Sequence, residues 1–284
     1  MEPITTQYGQ LIPQHTTDDL RKRDLFPVEY HRSGVVKSVP LEAQTPIDTP
    51  AGTVPAELVS FHENGNINRI FPLNGKLCGY WSQEDEAALA APVTLNTPVG
   101  IVTARILSLG FFDNRSLRSI TLWPEDTLTI ASPVGMVETR IGVSFAPDGS
   151  IRSLEPARPT PIKTLAGEIM AYDPDAVGVN GDVNSLVFDH GGNVVRVATT
   201  LTRLTAISPD GRTTAFAPEQ RESLCSESEQ EVVPMVIGFG KDAVTVQTDP
   251  DGPVTRIPRE GHVFFAEPFL PQLSNPFAGL RCSV

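Results

Sequence analysis

One short pattern, written five times, limits what this chain can fold into more than any other feature. It is an aromatic residue with an aliphatic residue two places before it. Four places after it comes glycine, and six and nine places after it come further aliphatics. Val28, Tyr30, Gly34, Val36 and Val39 form the first copy, and Val59, Phe61, Gly65, Ile67 and Ile70 the second. Leu109, Phe111, Arg115, Leu117 and Ile120 form the third, with arginine where the others have glycine. Val143, Phe145, Gly149, Ile151 and Leu154 follow, then Leu186, Phe188, Gly192, Val194 and Val197. Recurrence in register points to a repeat architecture, each unit being one supersecondary element that packs on its neighbours.

A second motif alternates with the first: aliphatic, any residue, Thr or Ser, Pro, any residue, Gly. It reads IDTPAG at 47–52, LNTPVG at 95–100 and IASPVG at 130–135. IKTLAG at 162–167 lacks the proline, AISPDG at 206–211 has a weak first position, and VQTDPDG at 246–252 is a looser copy. Proline presets φ near about −65° and glycine accepts the backbone that ends a turn. Between the two motifs the chain reads as strand. In MVETRIGVSF, Val137, Thr139, Ile141, Val143 and Phe145 alternate with Met136, Glu138, Arg140, Gly142 and Ser144. That is the period of two of a half-buried antiparallel strand. The reading is a mainly β chain: an elongated antiparallel meander of five to six β-hairpin repeats, roughly ten to twelve strands, with one short inserted helix.

The helix occupies the widest gap between anchors, from Phe61 to Phe111. SQEDEAALAA at 82–91 opens on Ser82, a capping residue, with Asp85 three places on. Glu84, Asp85 and Glu86 then fall in the first turn, where the helix dipole favours acids, so they read as helix-start residues rather than metal ligands. Residues 1–26 lack the pattern and form an N-terminal extension, in which TTDDLRKRD suggests a capped helical turn. The array covers 27–217, with the helix insertion at 82–91. Residues 218–231 read as an acidic exposed loop, and 232–284 as a terminal repeat and capping segment whose Pro-rich end covers a sheet edge.

Composition narrows function. Across 284 residues, 22 glycines and 26 prolines exceed average usage and disfavour long helices. The net charge of −12 argues against nucleic acid and anionic membrane as partners, since a nucleic-acid footprint needs clustered Lys and Arg. No apolar run reaches the length of a membrane helix, and the start lacks a secretory pattern. Cys78, Cys225 and Cys282 suit neither a disulfide framework nor a zinc motif. A cytoplasmic location fits best, with no cofactor and no metal.

The segment FHENGNINRIFPLNGKLCGYW resembles a unit of the MORN-type repeats, and most of all their bacterial MORN-like variants grouped with antitoxin-type proteins. Phe61, Asn64-Gly65, Asn74-Gly75-Lys76, Gly79 and Tyr80-Trp81 stand at matching positions, and the match covers residues 58–81. The family's Gly-x-Trp is absent from the other units. The resemblance implies an open single-layer array of β-hairpins, used for binding rather than catalysis, and it implies no particular functional residue. A toxin-neutralising partner is the narrower idea it carries.

Common catalytic signatures are missing: there is no Gly-x-Ser-x-Gly, no His-Glu-x-x-His and no phosphate loop. GFGKDA at 238–243 lacks the spacing and hydroxyl of a phosphate loop and reads as a turn. His31 and His62 each follow an anchor aromatic, so stacking of units places them on one edge beside turn residues such as Asn64. With the Tyr80-Trp81 pair, His31, His62 and Asn64 make the candidate ligand-binding set; no catalytic residue and no metal ligand is assigned. The leading expectation is a scaffold that binds a protein partner or self-associates. The alternative is an enzyme of unrecognised type, or a small-ligand or metal binder, with its site in the sheet concavity or near the inserted helix.

Overall fold

Two turn geometries decide where the strands end. In the computed structural model, which describes residues 2–17, 21, 24–176, 184–222 and 230–270, every aromatic anchor leads into the same loop. The His31 amide donates to the Val35 carbonyl and the Gly34 amide to the His31 carbonyl. The same two bonds recur at His62, Gly65 and Asn66, at Phe112, Arg115 and Ser116, at Ala146, Gly149 and Ser150, and at Asp189, Gly192 and Asn193. Gly34, Gly65, Gly149 and Gly192 have φ of 85°, 80°, 87° and 78°. Arg115 takes φ of 74° in the third loop, a left-handed conformation that costs an L-residue about 1–2 kcal/mol.

The spacing of six and nine after the anchor now has a cause. Two residues three apart cannot share a face of a regular strand. Directly after each loop the register shifts by one: Phe61 pairs Ile67 but Ser60 pairs Arg69, and Phe111 pairs Leu117 but Gly110 pairs Ser119. The same shift follows Tyr30 and Phe188. The extra residue is a β-bulge, and it returns the next aliphatic to the core. Val39, Val59, Ile70, Leu109, Ile120 and Val143 therefore form one continuous cross-strand row, each at most 1% exposed. Each contributes about 1.5–3 kcal/mol by leaving water.

The second turn is held by its hydroxyl rather than its proline. Thr49 donates to the Gly52 carbonyl at 2.7 Å and accepts from the Ala51 amide at 3.1 Å. Thr97, Ser132 and Thr164 make the same pair of bonds, the last without any proline. The N-terminal extension contains the same device: Thr6 bonds the Gly9 carbonyl and the Tyr8 amide, joining strands Ile4–Thr6 and Gly9–Leu11. AISPDG belongs to the other class. Ser208 and Gly211 repeat the anchor-type backbone bonds, Gly211 has φ of 82°, and the Ser208 hydroxyl turns to Asp210 and the Arg212 carbonyl. At VQTDPDG the Thr248 hydroxyl goes to Glu219 instead, and a wider loop joins the strands.

The chain is 57% strand and 2% helix, with a 14-stranded antiparallel meander as its largest sheet. The described residues hold 25 strands, because long runs break where a hairpin leaves the large sheet. Gly100–Ala104 stops at Arg105, whose amide goes to the Asp126 carboxylate and whose carbonyl accepts from Trp123. Val93–Thr97 and Gly100–Ala104 then form a separate ribbon, as do Thr160–Thr164 and Gly167–Ala171. In Gly135–Phe145 the strict alternation fails at Ile141. Its φ of 58° marks the point where the strand exchanges Thr127–Ser132 for Leu117–Leu122 as partner.

Contacts divide the chain into two compact units, Met1–Leu154 with Val177–Asn184, and Glu155–Ala176 with Ser185–Val284. The first holds the aliphatic row and the helix. That helix, Gln83–Ala87, is shorter than 82–91 but starts as read: Ser82 and Asp85 complete a reciprocal capping box. In the second unit, Leu186, Val197, Ile237 and Val246 form the corresponding buried row. Where a loop was expected at 218–231, Glu219–Glu222 pairs with Gln230–Val233; the remaining residues of that stretch lie outside the described ones. So do most of the charged part of TTDDLRKRD and the Pro-rich end beyond Leu270.

Candidate functional site

The residues around the inserted helix converge on one buried guanidinium. Arg21, Glu57 and Glu86 are 8%, 4% and 3% exposed. Arg21 donates through Nη1 and Nη2 to both oxygens of Glu57, at 2.8 and 2.9 Å. Through Nε and Nη2 it donates to both oxygens of Glu86, at 3.0 and 2.6 Å. The Asn74 amide adds a bond to Glu57 at 2.7 Å, and the Gly75 amide one to Glu86 at 2.9 Å. The Trp81 indole donates to Glu86 at 2.6 Å. Lys76 completes the closure, its amide on the Arg21 carbonyl and its ammonium on Asp24 at 3.1 Å.

Local sequence explains how the acids arrive there. Glu57 sits opposite the register break between Pro40 and Thr45, where the ladder gives it no paired residue. Glu86 is the buried residue of the capped helix. Gly75 must lack a side chain, because a Cβ there would meet the Glu86 carboxylate at 2.3 Å. The second Asn-Gly pair is thus no hairpin turn; its two amides serve the two carboxylates. Burial by itself would raise the Glu86 carboxyl, but Arg21, Trp81 and Gly75 outweigh it and hold it below its ordinary value. Burial likewise opposes the Arg21 cation, and its bonds to Glu86 and Glu57 raise it instead. All four carboxylate oxygens and both edges of the guanidinium are occupied. The cluster ties together three segments distant in sequence.

The histidines occupy a different place. His31 Nε2 meets the Phe61 carbonyl at 2.9 Å, and His62 Nε2 the Phe111 carbonyl at 3.0 Å. Each ring reaches the anchor of the next copy, so the equivalent positions do stack. The bond places the proton on Nε2 and makes each ring a staple between adjacent loops. Asn64 does similar service: Nδ2 donates to the Asp113 carbonyl at 2.9 Å, and Oδ1 accepts from the Asn66 amide. From the N-terminal hairpin, Gln7 reaches the Gly65 carbonyl and Tyr8 accepts from the Ile67 amide. His31, His62 and Asn64 therefore lie together at the loop before Ile67–Phe71, while Trp81 lies past the other end of that strand, in the arginine cluster. Tyr80 is 84% exposed and projects from the turn closed by Cys78 and Trp81.

Arg21 and Glu57 went unread in the sequence. The available signal was Glu57 itself, a lone acid in the apolar run VPAELVSF, since an acid inside a strand core requires a partner. Among the described residues no three His, Cys, Asp or Glu side chains converge as a metal site. None of the helices there is long and apolar enough to cross a membrane. No protein-family model, curated protein or solved structure matches the chain.

Proposed function

We propose that this chain is a cytoplasmic β-hairpin repeat protein of MORN-like type that presents a rigid surface to a protein partner, or to a second copy of itself. The observation that carries this reading is the exposed apolar set around the arginine cluster. Leu25, Phe26, Leu77, Tyr80 and Leu89 are 51%, 57%, 52%, 84% and 46% exposed. The Asp24–Lys76 pair and the Lys76–Arg21 backbone bond run residues 24–26 beside 76–77. Large apolar side chains concentrated on a firmly anchored support are the usual mark of an interaction surface. The alternating turn motifs and the stacked loops support the repeat reading. The free thiol of Cys78 suits a reducing compartment.

The test is affinity capture from source lysate, run in parallel with the natural chain and with a Phe26→Ser/Tyr80→Ser variant. Both side chains are exposed, so the variant should keep its melting temperature. A stoichiometric partner, or a dimer by sedimentation velocity, should be retained by the first and lost by the second. Identical binding by both proteins refutes this surface, and a monomer with no partner refutes the scaffold reading.

A further inference from the structure

The second unit contains a groove of a different character. It encloses about 370 Å³, within the size range of small-molecule sites. Gly238, Lys241, Thr245 and Arg256 are among the residues that line it. A Cβ at Gly238 would stand 2.4 Å from the Thr245 hydroxyl, so a side chain there would push that hydroxyl aside. Register places Arg196, Gly238, Thr245 and Arg256 in one cross-strand row. The adjoining turn is locked from outside the groove: Arg259 donates to the carbonyls of Gly240, Lys241 and Asp242. Its geometry is therefore preset before any ligand arrives.

The polar groups of the groove are unspent. The Lys241 ammonium, the Arg256 guanidinium and the Thr245 hydroxyl make no hydrogen bond or ion pair with the described residues. Asp242 supplies the single carboxylate on the rim. Two free cations and a hydroxyl thus line this groove in a chain whose net charge is −12. Local positive potential against an acidic background selects an anion. Lys and Arg bind oxyanions by charge-assisted hydrogen bonds. GFGKDA lacks the hydroxyl of a phosphate loop in its own sequence; the neighbouring strand supplies one through Thr245.

We propose that this groove binds a small organic oxyanion through its phosphate or carboxylate head. The reading is independent of the partner surface in the first unit. It is tested by titrating the whole chain with phenyl phosphate, benzoate and neutral benzyl alcohol, using calorimetry and the amide NMR signals of Gly238 and Gly240. At least one of the two anions should saturate and move those signals, and benzyl alcohol should not. The Lys241→Gln/Arg256→Gln variant, which alters two exposed side chains, should keep its melting temperature and lose about tenfold or more in affinity. Absence of saturable binding by both anions overturns the proposal. So does an equal response to benzyl alcohol, or an affinity unchanged in the double variant. The stronger of the two anions assigns the head group.

Discussion

Two rows of side chains, one in each unit, lie beside the buried aliphatic rows and differ in what fills them. In the first unit the row runs Ser60, Arg69, Gly110, Ser119, Ser144. In the second it runs Val187, Arg196, Gly238, Thr245, Arg256. Both pair a glycine with a hydroxyl residue at a distance no Cβ could tolerate, 2.6 Å at Gly110–Ser119 and 2.4 Å at Gly238–Thr245. Yet Ser119 is sealed at 0% exposure, with Arg69 bonded to Ser108 and Ser108 to Thr121 beside it, whereas Thr245 opens onto the groove. The same backbone pairing thus serves closure in one unit and access in the other. What differs is whether the charged side chains find partners: Arg21 and Arg69 are satisfied internally, Lys241 and Arg256 are not.

The contrast is broken most severely at Arg21. Arg21→Ala leaves two carboxylates buried and should cost about 3–5 kcal/mol in denaturant unfolding, while Arg256→Gln should stay within about 0.5 kcal/mol of the natural chain. If both changes proved equally mild, the first unit would not be closed in the sense described. Next in size is the glycine pair. Gly110→Ala forces Ser119 aside in a sealed row and should cost about 1–3 kcal/mol. Gly238→Ala should cost less than about 1 kcal/mol, because Thr245 can rotate toward solvent. Equal losses at the two sites would show that access plays no part. A smaller and opposite effect belongs to Arg115, where glycine removes a left-handed side chain: Arg115→Gly should stabilise by about 0.5–1 kcal/mol, readable as a higher melting temperature.

The smallest effect is a pH response at Glu42. It accepts from the Thr16 hydroxyl and the His15 and Thr16 amides, and these bonds hold its carboxyl at about 2, down from 4.5. A depressed carboxylate contributes stability that is complete above 4.5 and is lost as pH falls toward 2. Proteolysis near His15 should therefore increase across that window while the NMR signals of the aliphatic row stay unchanged. Insensitivity of that segment to acid would remove Glu42 as its tether.

Much of the fold was legible because it is written in local chemistry. The anchor copies named the buried row almost residue by residue, since Val59, Ile70, Leu109, Ile120 and Val197 recur at fixed distances from a turn. The capping box at Ser82 and Asp85 was equally local. The misreadings fell where one local signal had two outcomes. Ser-Pro-Asp-Gly at 208–211 supports either turn, and the choice followed from Asp210, which draws the Ser208 hydroxyl away from a glycine carbonyl. Asn74-Gly75 matched the repeat unit in sequence and became a pair of amide donors, because two carboxylates stood within reach. His31 and His62 were placed correctly on one edge, but their partners are main-chain carbonyls that no side-chain pattern displays.

Sequence alone determined that this is an antiparallel β protein built on two kinds of tight turn, with the residues of its core row. Those features depend on φ preference, hydroxyl capping and the alternation of strand faces, all of which act within about ten residues. Tertiary structure alone decided that Arg21 would be shared between Glu57 and Glu86, and that Thr245 would complete a cationic groove begun by Lys241. Both depend on which distant segments meet and on whether a charge there finds a partner before it meets water.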